Sequence, residues 1–158
     1  MNSPTTPTTV RRSVTVDAAR ERAFYVFTAS MATWWPGSHH IAKTPMADIV
    51  LEPRSGGRWY EVDAEGRECE WGTVLEYDFP ERVVLGWHLD PDFEYDPDPA
   101  MATQVEVRFI ADGDSRTRVE LEHRGFEVYG DSGRLMADRV SAEGGWGLLL
   151  EKFAEKFE

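Results

Sequence analysis

The chain has 158 residues, 41% of them hydrophobic, and a formal net charge of −12. This size and apolar content allow one domain with a buried core and exclude an intrinsically disordered protein. The acidic charge argues against nucleic acid and anionic membranes as partners. The chain has a single cysteine, Cys69, and no apolar leader sequence at its start, and both features favour the cytoplasm.

The first part of the chain predicts a tail, a strand and two short helical segments. Residues 1–8 are rich in Ser, Thr and Pro and predict a flexible tail, followed by a single domain over 9–158. A β-prone run ends at Asp17, whose carboxylate we expect to cap the helix that follows, residues 19–29. A turn or second short helix is expected within 31–40, where Pro and Gly end it.

From residue 47 onward the pattern is that of antiparallel strands with one solvated face. In three strands, hydrophobic residues alternate with mostly charged neighbours, and a hairpin about Gly113 joins the last two. We expect the following residues to face inward: Val83, Leu85, Trp87 and Leu89; Val105, Val107 and Phe109; Val119, Leu121 and His123. The acidic, proline-rich segment 90–100 is expected to form a mobile loop that binds no metal.

The last segment predicts an amphipathic helix, with charged residues opposite one apolar stripe. The residues of that stripe are Trp146, Leu149, Leu150, Phe153 and Phe157. The order of strand, helix, antiparallel strands and helix predicts an α+β domain in which the helices cover one face of a single sheet.

Motifs in the central part of the chain resemble those of a known family. They are Pro53-Arg54, Gly56-Gly57-Arg58-Trp59, Gly66, Trp71-Gly72-Thr73-Val74, Pro80-Glu81-Arg82 and Trp87. Over about residues 10–157 the chain is similar to the domain named for the activator of the Hsp90 ATPase, in the START-like (SRPBCC) superfamily. The resemblance implies a helix-grip (START/Bet v 1-like) fold: a bent antiparallel sheet around a long C-terminal helix, with two short helices after the first strand. In many relatives an apolar ligand occupies a pocket between sheet and helix.

That resemblance places all six tryptophans on elements that border the pocket. The candidate cavity residues are therefore Trp34, Trp35, Trp59, Trp71, Trp87 and Trp146, together with Leu150. Two polar residues, His123 and Glu61, occupy strand positions on the same face as inward-pointing residues, so they join this set. His123 is either a polar anchor for a ligand or a core histidine with partners inside the protein. The tryptophans, likewise, either line a cavity or only fill the core.

These features favour a non-enzymatic domain that binds a small apolar or aromatic molecule. One alternative is a chaperone-accessory interaction module, although the chain lacks the separate N-terminal domain with which the eukaryotic co-chaperone binds its chaperone. Another alternative is a START-like cyclase or hydrolase that uses the same pocket. The sequence contains no phosphate-binding loop, dinucleotide motif or Cys/His metal spacing, so we expect no cofactor and no metal. A second copy of the chain is a candidate partner in a homodimer.

Overall fold

A computed structural model describes residues 9–37, 39, 41 and 44–158. The predicted tail, residues 1–8, lies outside the described residues. Seven strands are present in this part of the chain: β1 (Val10–Val16), β2 (Met46–Leu51), β3 (Arg58–Asp63), β4 (Glu68–Asp78), β5 (Arg82–Trp87), β6 (Thr103–Ala111) and β7 (Thr117–Arg124). They form one antiparallel sheet in the order β1-β7-β6-β5-β4-β3-β2, which confirms the predicted sheet.

Three α-helices accompany the sheet: α1 (Arg20–Thr28), α2 (Ser132–Ser141) and α3 (Trp146–Ala154). Single 3-10 turns follow α1 and α3, at Met31–Thr33 and Glu155–Phe157. The two short helices after the first strand are thus α1 and the turn after it. None of the helices in the described ranges combines the length and the apolar character that a membrane crossing requires.

The C-terminal helical segment is divided between α2 and α3 at residues 142–145. A Cβ atom on Gly145 would lie 2.0 Å from the carbonyl oxygen of Val140, so the chain can turn this tightly only at glycine. Helix α3 therefore begins at Trp146, and the predicted apolar stripe packs on the sheet. Leu149, Leu150 and Phe153 are buried as expected.

Every residue expected to face inward on β5, β6 and β7, and Leu89 just after β5, is buried. The predicted alternation with a solvated face holds along β7 and most of β6 but is wrong on β5, where Val84 and Gly86 are buried as well. The helices pack on the same core. Phe27 of α1 has ring contacts at 5.8 Å with Phe109 of β6 and at 5.3 Å with Phe153 of α3. One continuous core therefore joins the first helix, the sheet and the last helix.

The prediction that Asp17 caps α1 is wrong. The helix begins at Arg20, its N-cap is Ala19 in an extended conformation, and no side chain caps it. The reason is a contact with the neighbouring strand β7, which is far away in sequence: the Thr117 hydroxyl donates to the carbonyl of Ala18 at 2.7 Å. This bond holds the chain extended past the end of β1, so the helix starts later than its sequence signal suggests.

Strands β4 and β5 meet at two glycines, Gly72 and Gly86. A Cβ atom on Gly72 would lie 1.8 Å from the carbonyl oxygen of Gly86. Gly72 follows Trp71 in the chain and pairs with Trp87 across the ladder. The glycine of the Trp71–Val74 motif thus allows two tryptophan-bearing strands to come together.

We expect Gly72→Ala to lower the free energy of unfolding by about 3 kcal/mol, because the added methyl group must displace the backbone of β5. Gly147→Ala is the matched control, since its Cβ would meet only Arg12 Nε at 3.8 Å. In α3 that change should be neutral or stabilise by about 1 kcal/mol. Urea denaturation of both variants measures the difference. If Gly72→Ala were as stable as the wild type, the close approach of β4 and β5 at Gly72 would be contradicted.

Candidate functional site

A pocket of about 480 Å³ lies between the sheet and the α2–α3 segment. Small-molecule sites commonly have volumes of about 300–1,000 Å³. Four indole rings line it, and aliphatic side chains complete most of the wall: Trp35, Trp71, Trp87 and Trp146, with Ile41, Leu89, Val140 and Leu149. The exposed residues Ala142 and Gly144 lie at its mouth. The pocket is therefore large enough for a small molecule and largely apolar.

The structure divides the nine predicted cavity residues into two layers. The four tryptophans named above line the pocket. The other five are buried behind that lining: Trp34, Trp59, Glu61, His123 and Leu150. Ligand contact by any of the nine stays a prediction.

The pocket tryptophans form one cluster of ring contacts. Trp35 lies 5.0 Å from Trp71 and 6.0 Å from Trp146, measured between ring centroids. Trp87 lies 5.7 Å from Trp146, and Trp59 packs edge-on behind Trp87 at 5.8 Å. The Trp35–Trp71 pair is tilted and the other three pairs are edge-to-face, an arrangement that favours fixed ring orientations. The tryptophan wall is thus a packed surface of defined shape.

Trp34 belongs to the core and not to this wall. Its ring packs against Phe27 at 5.0 Å and Phe153 at 5.4 Å. Its indole N–H donates to the carbonyl of Val26 at 3.0 Å. Trp34 therefore joins α1 to α3, one layer away from the pocket.

Glu61 is a fully buried carboxylate on β3 that holds two residues of the pocket wall. Its Oε1 accepts from the indole N–H of Trp71 at 2.8 Å and from the backbone N–H of Ile41 at 2.6 Å. Buried polar groups are held in place by such hydrogen bonds. Glu61 thus fixes the ring of Trp71 and ties the loop before β2 to the sheet.

His123 is fully buried on β7 and bonded at both ring nitrogens. The indole N–H of Trp146 lies 3.0 Å from Nδ1, and Thr103 Oγ1 lies 2.8 Å from Nε2. Because an indole N–H can only donate, Nδ1 must be the acceptor, and the ring hydrogen is assigned to Nε2. Burial lowers the pKa of His123 to about 3, so the ring is neutral. His123 therefore positions Trp146, as expected of a core histidine with partners inside the protein.

The acidic segment 90–100 forms one edge of the pocket through Phe93. Within it, Asp90 Oδ1 accepts from the backbone N–H groups of Asp92 and Glu94 at 2.9 and 3.0 Å. Arg139 of α2 donates to the carbonyl of Pro91. The loop is thus hydrogen-bonded to itself and to α2, and its mobility stays a prediction. Over the described residues, no three His, Cys, Asp or Glu side chains are grouped to hold a metal ion.

Sequence reasoning missed the parts of the pocket that loops and α2 supply. These are His39, Ile41, Phe93, Arg139 and Val140. They come from three separate stretches with no strand alternation or motif. Only the three-dimensional path of the chain brings them together.

Comparison with known proteins gives one matching family and several similar solved structures. The family model described as "Activator of Hsp90 ATPase homolog 1-like protein" matches residues 17–158. The structure of Txn09, titled an anthrahydroquino-gamma-pyrone synthase complexed with SUM, is 38% identical, with 93% of this chain and 95% of that chain covered and a TM-score of 0.66. CalC from Micromonospora echinospora, a self-sacrificing resistance protein, is 32% identical, with coverages of 94% and 93% and a TM-score of 0.65.

A more distant neighbour shares the fold alone. The Aha1 dimer from Colwellia psychrerythraea is 13% identical, with 96% of each chain covered and a TM-score of 0.63. A comparison with curated proteins gave no match.

The buried neutral His123 predicts a loss of stability in weak acid. Since its pKa is about 3 in the folded chain and about 6.5 in an ordinary exposed histidine, the unfolded chain binds a proton that the folded chain does not. The free energy of unfolding should therefore fall as pH drops from about 6.5, by up to about 1.4 kcal/mol per pH unit.

Urea denaturation between about pH 6.5 and 4.5, above most carboxyl titration, measures this slope. His123→Gln should flatten it, because an amide can accept from Trp146 and donate to Thr103 but does not titrate. His123→Phe should instead cost about 1–3 kcal/mol even at neutral pH, since it leaves the buried indole N–H of Trp146 without its acceptor. An unchanged slope in His123→Gln would show that this histidine does not titrate on unfolding.

Proposed function

The chain belongs to the activator of Hsp90 ATPase homolog 1-like family, and from the geometry of its pocket we propose that it binds a small, flat, largely apolar molecule. The observation that carries the proposal is the wall of four indole rings, from Trp35, Trp71, Trp87 and Trp146. Indole rings offer large apolar faces and polarised edges, which suit the stacking of an aromatic ligand. Apolar lining with few polar groups is the usual composition of a small-molecule site.

The wall is held in place by hydrogen bonds made on its far side. Trp71 donates to Glu61, Trp146 donates to His123, and Trp35 donates to the carbonyl of His39 at 2.9 Å. Three of the rings therefore keep their orientation without a ligand. Such preorganisation supports binding, because less conformational entropy is lost when the ligand enters.

The polar content of the lining favours binding over catalysis. Within the described lining, the only side chains that carry an ionisable group are His39 and Arg139, and no carboxylate, thiol or hydroxyl is present. Both already have protein contacts: His39 Nε2 lies 2.7 Å from the carbonyl of Gly144, and Arg139 bonds the acidic loop. A nucleophile paired with a base, or a pair of acid and base groups, is thus absent from this part of the wall.

The relatives support an aromatic ligand in particular. The name of Txn09, at 38% identity, concerns an anthrahydroquinone and a pyrone, and CalC, at 32%, is a resistance protein. One is an enzyme and the other is not named as one, so family membership does not decide between catalysis and binding. We propose a fused-ring aromatic molecule as the ligand and binding as the activity. A chaperone-accessory role rests on the family description alone and ranks second.

Isothermal titration calorimetry with anthraquinone sulfonate, a soluble fused-ring probe, tests the proposal. We expect a dissociation constant on the order of micromolar. Ala142→Trp places a large side chain at the mouth and should weaken binding at least about 10-fold. Leu135→Trp is the matched control, because Leu135 is also exposed but lies on α2 outside the pocket lining.

Binding should also raise the melting temperature of the wild type and of Leu135→Trp, since the probe binds the folded state. Absence of both heat and a melting shift with the wild type would refute the proposal for this ligand class. If Ala142→Trp and Leu135→Trp bind the probe with equal affinity, the probe binds outside this pocket.

A further inference from the structure

Phe93, at the edge of the pocket, has a backbone conformation that phenylalanine rarely adopts. Its φ is 61°, and the other positive-φ positions in the part of the chain that the structure describes are all glycine. This conformation is sterically disfavoured for a bulky side chain, whereas glycine adopts it freely. Strained residues persist where the surrounding structure fixes them, and they cluster at functional sites. The strain at Phe93 therefore points to a role for its side chain.

Hydrogen bonds within the segment and from α2 fix Phe93 in this conformation. Its backbone N–H donates to the carbonyl of Asp90 at 2.8 Å, and the N–H of Asp90 donates to the carbonyl of Glu94 at 2.8 Å. The Arg139 guanidinium, which also lines the pocket, donates to the carbonyl of Pro91. The turn is thus tied to itself and to α2, and these bonds keep Phe93 at the pocket edge.

The side chain of Phe93 has few partners inside the protein. Phe93 lines the pocket, and 38% of its surface is exposed. Each of the four pocket tryptophans packs against other rings, but Phe93 has no ring contact with the described residues. Its sequence neighbours, Asp92 and Glu94, are charged. The ring of Phe93 is therefore open to a molecule that occupies the pocket.

We infer that Phe93 contacts the ligand and determines specificity, by packing its ring against an aromatic ligand at the pocket edge. Aromatic pairs gain free energy beyond that of the apolar area they bury, because the edge of one ring attracts the face of another. An aliphatic molecule of similar size offers apolar area without this gain. The inference rests on the proposed function and adds selection of aromatic over aliphatic molecules to it.

Two probes with the same anionic group test this selectivity. Anthraquinone sulfonate is aromatic, and octane sulfonate is aliphatic. Phe93→Leu keeps an apolar side chain and removes the ring. In calorimetry it should weaken binding of anthraquinone sulfonate about 3- to 10-fold, as expected for the loss of one aromatic pair, and should not weaken binding of octane sulfonate.

Tyr95→Leu is the matched control for the loss of an aromatic side chain. Tyr95 belongs to the same segment and has 39% of its surface exposed, but it lies outside the described pocket lining. Its replacement should leave the affinity for anthraquinone sulfonate unchanged.

The backbone strain gives a second measurement, which needs no ligand. Phe93→Gly and Phe93→Ala both remove the ring, but only glycine adopts a positive φ without strain. In urea denaturation, the ratio of folded to unfolded protein should therefore be about 5-fold higher for Phe93→Gly than for Phe93→Ala. Both variants should bind anthraquinone sulfonate more weakly than the wild type does, so the more stable variant gains no affinity.

The outcomes separate this inference from the proposed function. If Phe93→Leu binds anthraquinone sulfonate as tightly as the wild type, or weakens both probes equally, the inference is overturned while the proposed binding stands. An equal loss of affinity in Tyr95→Leu also overturns it, as does equal stability of Phe93→Gly and Phe93→Ala. If anthraquinone sulfonate does not bind the wild type, the proposed function fails, and this inference fails with it.

Discussion

Hydrogen bonds from buried indole N–H groups account for the polar side chains Glu61 and His123 in this core. Six tryptophans in a chain of this size cannot be kept at the surface, and each brings a donor with it. The chain meets four of those donors with a carboxylate, an imidazole and two main-chain carbonyls. Glu61 and His123 are therefore in the core because tryptophan is there, and their polarity serves the rings.

Hydrophobic strands alone would produce a closed core, and glycine is what leaves room for a pocket. Gly72 and Gly86 let β4 and β5 approach, which sets the spacing of Trp71 and Trp87. Gly145 lets the chain turn between α2 and α3, so the two helices do not continue as one rod across the sheet. The lining residues of α2, of the turn at 142–145 and of α3 then surround one side of the pocket.

Strand alternation predicted the buried faces of β5, β6 and β7 because side-chain direction in a strand is fixed by local geometry. The cap at Asp17 failed because a distant hydroxyl, that of Thr117, decides where the chain leaves the sheet. Family resemblance placed the tryptophans near the pocket but could not separate the lining from the layer behind it. That separation depends on ring rotamers and on loops such as the one carrying Phe93, which have no periodic signal.

Arginine side chains neutralise a buried acidic group on the sheet. On β6 the side chain of Glu106 is surrounded by Arg82, Arg108 and Arg124. Burial disfavours its ionisation, but the hydrogen bonds from these arginines hold the pKa of Glu106 at about 2. Such pairing neutralises buried acid charge away from the pocket, whose described lining has none.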